Sequence, residues 1–400
     1  MKTYDLAATL PLLLTLLIAP VSAAPLLDAT AVKKIDDTVN KAVADHVTPS
    51  CCIVIGTRDK VLFARAYGHL TYDTGSPVTT LDTIYDMASC SKPIGTATMT
   101  ALLIQDGKLH IDDPVSKYLP SWNRDDKRTI TIRNLATHTS GLPSYTSATR
   151  TEAERKPDQS HSDALIEHIA ALPLQYKTNE GQLYACLNFL TLARVNEEAA
   201  GTSQERFLRE RVFEPLGMIN SGYYLRSAKK QLCAPTIGGK NFRQGVVHDP
   251  LAYYYRDGYH CPGNAGLFTT ANDLTKFCQM ILADGKCGDQ QILAPQTVDL
   301  FFTNQAPASS KETWGLGWGL PTGMPFATKL NSDPKHACIS HSGYTGTYVI
   351  IDRLAGAFMI QLTNRVYPND STNSYVITRP VRRLMIETDP VYTSAIAAKK

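Results

Sequence analysis

Ser89-Cys90-Ser91-Lys92-Pro93 opens a segment in which Ile94, Ala97, Ala101 and Ile104 recur at helical spacing and Gly107 supplies a stop. A serine and a lysine three residues apart on a helix project from the same face. At the first turn the serine hydroxyl also feels the positive end of the helix. Pro93 fits there, because its missing N–H costs nothing in a first turn. On the N-terminal side lie a helical pattern over 29–47 and two strand-like runs, Cys52–Thr57 and Val61–Ala66. The runs are joined by the polar turn Arg58-Asp59-Lys60, which reads as an antiparallel hairpin. On the C-terminal side, helical periodicity recurs around 163–171, 187–200, 203–213, 271–283 and 295–303. Strand signals then return at Thr347–Asp352 and Ala357–Thr363, before a last amphipathic stretch over 374–387. With strands at both ends and helices between them, the simplest assembly is one antiparallel sheet built from both ends of the chain. A mostly helical region is inserted, and the cleft lies between the two. The corresponding division is 24–88 with 305–400 for the α/β part and 89–304 for the helical part.

Of the 400 residues, 43% are hydrophobic and 19% charged, which suits a globular core and argues against disorder or coiled coil. Forty Lys plus Arg against 37 Asp plus Glu leave a net charge of only +3, so nothing points to nucleic acid or an anionic membrane as partner. Residues 1–23 read as a secretory signal peptide. Lys2 precedes an apolar run from Leu6 to Val21, and Val21-Ser22-Ala23 is a small-residue cleavage signal placing the cut before Ala24. No later stretch is long and apolar enough to span a bilayer, so the mature chain is expected to be exported, secreted or periplasmic. The nine cysteines show no zinc-site spacing and are expected mostly as small buried hydrophobes, with Cys278 and Cys287 the pair nearest to a plausible disulfide.

Ser89 and Lys92 are candidates for a nucleophile served by a lysine, which either accepts the hydroxyl proton or, as a cation, lowers the cost of ionising it. There is no G-x-S-x-G, so a triad on an α/β-hydrolase elbow is not indicated. Downstream come Asp106-Gly107-Lys108-Leu109, Asp112-Asp113-Pro114-Val115-Ser116-Lys117-Tyr118-Leu119-Pro120 and Thr137-His138-Thr139-Ser140-Gly141-Leu142-Pro143. Further on are Tyr184-Ala185-Cys186-Leu187-Asn188 and His341-Ser342-Gly343-Tyr344-Thr345-Gly346-Thr347.

In order and wording these segments resemble the serine β-lactamase and penicillin-binding protein superfamily over about 30–390. The nearest branch is that of class C β-lactamases, DD-peptidases and β-lactamase-like carboxylesterases. The resemblance implies a β-lactamase/transpeptidase-like α/β fold, an antiparallel sheet flanked by helices with an inserted helical domain. It implies three motifs: Ser89 with Lys92; Tyr184 with Cys186 where Asn or Asp is usual; and His341-Ser342-Gly343 on a strand. An alternative register makes Asn188 the motif asparagine. Ser89, Lys92 and Tyr184 are then the expected catalytic residues. The N–H groups of Ser89 and Tyr344 form the expected oxyanion hole, and Cys186, His341, Ser342 and Gly343 line the substrate channel, with no metal or cofactor. His138, Asn188 and His248-Asp249 are expected as supports.

Two departures bear on the substrate. A Cys186 thiol cannot reproduce a two-sided amide. At neutral pH an unperturbed imidazole at 341 is mostly uncharged, so a substrate carboxylate loses a permanent partner. Both weaken the case for an efficient β-lactamase and fit an esterase or a peptidase of the wider family better, with a carboxylesterase-like hydrolase acting through an acyl-enzyme the first expectation. A D-alanyl-D-alanine carboxypeptidase, a weak β-lactamase and a non-catalytic acylated sensor are the alternatives.

Overall fold

The computed structural model describes residues 27–320 and 338–387; the signal-peptide reading of 1–23 lies outside them. Among the described residues, no helix is long and apolar enough to cross a membrane.

Seven strands form one sheet: β1 (Ser50–Thr57), β2 (Val61–Gly68), β3 (Thr313–Trp314), β4 (Gly319–Leu320), β5 (Cys338–Ser342), β6 (Tyr348–Asp352) and β7 (Ala357–Thr363). Their order is β2-β1-β7-β6-β5-β4-β3, antiparallel throughout. The two ends of the chain therefore meet at β1–β7, where Cys51 faces Thr363 and Thr57 faces Ala357.

The run Cys51-Cys52-Ile53-Val54-Ile55 is apolar without alternation because both faces of β1 are buried. Cys51, Ile53 and Ile55 join Met359 and Ile350 under the helices Ala29–Ala44 and Tyr375–Glu387, through Ile35, Val39, Ile377 and Val381. Cys52 and Val54 join Phe358, Ile360 and Leu362 on the opposite face, against Phe277, Met280 and Ile281 of the helix Ala271–Leu282. That helix thus packs on the sheet even though its sequence lies within 89–304. The boundary between sheet layer and helical region is spatial and does not follow chain order.

The expected hairpin is present with longer strands, and the expected helices occur with ends shifted by a few residues. The segment from Ser89 is not a uniform α-helix. A tight turn over Ala88–Cys90 widens into a π-type turn over Lys92–Ala97 before regular α-helix runs from Thr98 to Gln105. Seven of the nine cysteines are buried. The Cys278–Cys287 pairing is not formed: Cys278 lies in the core beneath the sheet, while the Cys287 Sγ lies 3.9 Å from the Pro215 carbonyl.

One side chain ties the layers together. Asn364, 1% exposed at the end of β7, accepts from Ser50 Oγ at 2.7 Å and donates to the carbonyls of Leu70 and Pro235, each at 2.9 Å. It links the start of β1, the end of the hairpin and the helical region. Replacing it by Ala leaves two buried carbonyls and a hydroxyl without their partner, and each such loss costs about 1–3 kcal/mol. Asn364→Ala should lower unfolding free energy by about 3 kcal/mol in urea titration; a change under about 0.5 kcal/mol, the range of an inert surface substitution, would show that the amide does not link the layers.

Candidate active site

The turn that carries Ser89 is built before Ser89 is reached. Ala88 has a φ of 48°, in the left-handed region that non-glycine residues avoid at a cost of about 1–2 kcal/mol. Its N–H donates to Asp86 Oδ1 at 2.9 Å. Asp86 is 2% exposed, so this is a buried bond to a charged group, a type that stabilises by about 1.5–3 kcal/mol and so offsets the strain. Asp86 Oδ2 accepts from both the backbone N–H and Nδ1 of His248, each at 2.8 Å. Burial alone would raise the Asp86 carboxyl, but the His248 charge and these N–H groups hold it below the usual range.

From the other side, Thr345 Oγ1 donates to the Asp86 carbonyl at 2.8 Å and Thr347 Oγ1 to the Met87 carbonyl at 3.0 Å. The β5–β6 turn is thereby docked on the segment that carries Ser89. Gly343 stands at the closest approach, where a Cβ would lie 2.0 Å from Thr347 Oγ1 and 2.5 Å from the Met87 carbonyl. No side chain larger than hydrogen fits.

Ser89 is half-buried, and Lys92, one turn on, is fully buried. Lys92 Nζ lies 3.0 Å from Ser89 Oγ, 2.8 Å from the Asn264 carbonyl and 3.6 Å from Cys186 Sγ. Burial pushes the ammonium down. The thiol of Cys186 and the phenol of Tyr184 outweigh it, with help from the Asp249 carboxylate, so the pKa stands above the ordinary lysine value. Tyr184 is 39% exposed along the cleft, yet its hydroxyl interacts with both Ser89 and Lys92. Removing its proton is opposed by desolvation of the hydroxyl and favoured by the Lys92 charge, and the balance leaves its pKa raised. The group can therefore hold a proton between a hydroxyl and a cation.

Two imidazoles flank Tyr184. The His138 ring lies 4.4 Å from it and the His341 ring 6.0 Å, centroid to centroid. His138 Nδ1 accepts from the Ala185 N–H and from Asn188 Nδ2, both at 3.1 Å. Its proton must then sit on Nε2. His341 Nδ1 donates to the Ser342 carbonyl at 2.8 Å, which leaves a lone pair on Nε2. Both rings are held neutral by burial and by the Lys92 charge, with the His341 pKa brought down to about 3.

The structure brings Ser89, Lys92, Tyr184 and Cys186 together and places Ser342, Gly343 and Tyr344 along the same cleft, while His341, expected to line it, is buried behind Tyr184 and is not among the lining residues. Asn188 lies beneath it, accepting from Ser140 Oγ at 2.6 Å and orienting His138. Cys186 lies beside Lys92, whereas Asn188 does not. Asp249 accepts from Tyr145 Oη and Asn264 Nδ2. Sequence reasoning did not single out Asp86. Its pairing with His248 spans 162 residues, and only its place three residues before Ser89 could have drawn attention to it.

The cleft has two arms meeting at Ser89. The larger, ≈ 730 Å³, has apolar walls that include Ile237, Pro250, Val366 and Pro368. The smaller, ≈ 320 Å³, is lined by Ser342, Asn373, Ser374, Tyr375 and Arg365. The Arg365 guanidinium is already paired with Asp370 and with the Thr372 carbonyl.

The Beta-lactamase family model matches residues 35–377, and the chain belongs to that family, among the hydrolases of the serine β-lactamase and penicillin-binding superfamily. It is 29% identical over 350 residues to an Escherichia coli (strain K12) protein described as a "Putative D-alanyl-D-alanine carboxypeptidase", covering 79% of this chain and 78% of that protein. Among solved structures, a class C beta-lactamase aligns with a TM-score of 0.71 at 18% identity, covering 90% of this chain and 96% of that one. EstCE1, a hydrolase with promiscuous acyltransferase activity, aligns at 0.68 and 20%, covering 91% and 98%. At these identities the structural matches speak for the fold, which is the β-lactamase/transpeptidase-like one expected from the motifs.

The neutral His341 has a consequence for stability. Its folded pKa of about 3 lies below the unfolded value of about 6.5. Between these values the unfolded chain binds the extra proton, so stability falls as pH drops through that window. His341→Asn should flatten this acid-side loss by up to about 1.4 kcal/mol per pH unit, read from urea midpoints between pH 7 and 4. Equal slopes in variant and parent would mean that His341 takes up its proton in the folded state.

Proposed function

We propose that the chain is an exported serine hydrolase that works through an acyl-enzyme on Ser89 and prefers esters with an apolar acyl group. The observation that carries the choice of substrate is the absence, among the described residues, of an uncommitted cation lining the polar arm. His341 is neutral and Arg365 is paired with Asp370. A leaving group bearing a carboxylate would have to displace Asp370, whereas a neutral alcohol meets hydroxyls and amides. The apolar arm is large enough for a medium acyl chain.

In this reading, as Ser89 Oγ attacks the carbonyl, the neutral Tyr184 phenol takes the Ser89 proton while passing its own to the leaving oxygen, so it is a phenol before and after the transfer. Lys92, kept charged, lowers the cost of the negative charge that develops on Ser89 Oγ and on the phenol oxygen. The oxyanion lies between the N–H groups of Ser89 and Tyr344. Water then repeats the sequence on the acyl-enzyme, and the step needs neither metal nor cofactor. Cys186 stands at the mouth of the apolar arm as a weak hydrogen-bonding partner, which suits an acyl group without a side-chain amide.

A D-alanyl-D-alanine carboxypeptidase is the second reading. It is favoured by the description of the Escherichia coli relative and by the presence of Arg365 in the arm that would take a terminal carboxylate. Side-by-side assay of a nitrophenyl butyrate, a D-Ala-D-Ala peptide and a chromogenic cephalosporin separates the readings. The ester should lead in kcat/KM by about ten- to a hundred-fold, the value of one missing hydrogen bond to a charged group. Faster turnover of the peptide would reverse the assignment.

The relay is tested within the same assay. Lys92→Ala and Tyr184→Phe should each lower kcat by roughly two to four powers of ten. The double variant should be little worse than either single, because the two groups serve one transfer. Additive losses would separate them, and a wild-type rate in Tyr184→Phe would remove the phenol from the mechanism.

A further inference from the structure

We propose that Asp86 and His248 act as a single positioning pair that sets both donors of the oxyanion hole at once. The inference rests on the acyl-enzyme reading but not on the choice of ester. One donor is the N–H of Ser89. It follows directly on Ala88, whose left-handed backbone is held by Asp86 Oδ1 at 2.9 Å. The other is the N–H of Tyr344. Its ring lies parallel to the His248 imidazole, 5.8 Å between centroids and 5° between planes. Asp86 Oδ2 holds His248 by two bonds, from the backbone N–H and from Nδ1. A carboxylate with no side-chain exposure therefore grips the nucleophile turn with one oxygen and, through His248, bears on the residue across the cleft with the other.

The pair is well isolated from water. The His248 side chain is 11% exposed, where it forms part of the wall of the apolar arm beside Ser89. The charges facing it are Asp86 and Asp249, with Arg243 opposing, and Asp370 across the cleft. Burial would lower its pKa, and the two carboxylates hold it above the ordinary histidine value. The Tyr344 ring is also held from elsewhere: its hydroxyl donates to Asp370, and the Arg365 guanidinium lies 4.8 Å from its centroid. Neither of those contacts reaches the Ser89 turn. The Asp86–His248 pair touches both sides, joining the turn before Ser89 to the loop after β5. Thr345 Oγ1, donating to the Asp86 carbonyl, closes the same link through the backbone.

A positioning role of this kind acts on the transition state and not on the ground-state complex. Asp86→Asn would present an amide to the two N–H donors of His248, and His248→Ala would remove the stack on Tyr344. Each should lower kcat for a nitrophenyl ester by about a hundred-fold with KM changed less than about three-fold, the cost of a small displacement at a reacting centre. Affinity for a phenylboronic acid, which forms a tetrahedral adduct with a serine, should fall by the same factor. The double variant should match the worse single. His248→Asn, which can keep a donor to Asp86 without the ring or its charge, should fall between parent and His248→Ala.

Boronate binding by the parent protein tests the Ser89 reading separately. No binding there would overturn that reading and the pair with it. Binding by the parent that is undiminished in folded His248→Ala, or losses appearing in KM and melting temperature but not in kcat, would overturn the pair alone. Should Asp86→Asn not fold, His248→Ala and His248→Asn carry the test by themselves, since that side chain lies at the cleft wall.

Discussion

A fully buried ammonium is the constraint around which this molecule is arranged. Taking an ion of that size out of water costs several kcal/mol even after relaxation, roughly speaking, unless its protons are met. Among the described residues, no carboxylate contacts Lys92. A backbone carbonyl of Asn264, the hydroxyl of Ser89 and the thiol of Cys186 surround its Nζ, which also lies 5.0 Å from the Tyr184 ring centroid. The nearest formal compensation is Asp249, itself held by Tyr145 and Asn264. The Asn264 loop, the Tyr184 segment and the turn carrying Ser89 must therefore converge on one atom. Burial first, and then the same charge, keep His138 and His341 neutral, and the charge favours ionisation of the Tyr184 hydroxyl beside it.

What could be read from the sequence follows the range over which each signal acts. β1 and β7 were legible because strands buried on both faces show as apolar runs, interrupted in β7 only by Gln361, and the helix Ala271–Leu282 because one stripe of it meets the sheet. Strands β3 and β4, two residues each, are too short to display any period, and pairing alone, of β4 with β5 and of β3 with β4, defines their place. The π-type turn after Lys92 leaves no composition signature either. Within the site, Ser89 and Lys92 announce themselves locally, and Tyr184 and His341 through the order of motifs. The Asp86–His248 contact and the packing of His138 on Tyr184 join distant parts of the chain and have no local pattern. His138, read from the sequence as a structural residue before a turn, has its ring 4.4 Å from that of Tyr184 and a backbone φ of 60°.

The two departures from the usual motifs acquire a physical meaning from the surroundings. Cys186 retains contact with Lys92 but offers sulfur where an amide would offer a donor and an acceptor. His341 occupies its strand position as a neutral ring, and the nearby guanidinium is spent on Asp370. In the proposed reading, both changes lower the charge and polarity available to a substrate around Ser89. The fold is shared with class C β-lactamases and with EstCE1 alike. These side chains, not the architecture, bear on which bond is cut.

The central claim is that Ser89, activated by Lys92 and Tyr184, becomes covalently acylated. It is tested most directly by stopping a reaction with a slowly hydrolysed aryl ester in acid. The mass of the intact protein is then measured and the modified residue located by peptide mapping. The account predicts a single acyl increment on Ser89 that forms and decays at the rate of turnover and is absent from a folded Ser89→Ala protein. Acylation at Cys186 or Lys92, or full turnover by Ser89→Ala, would contradict it.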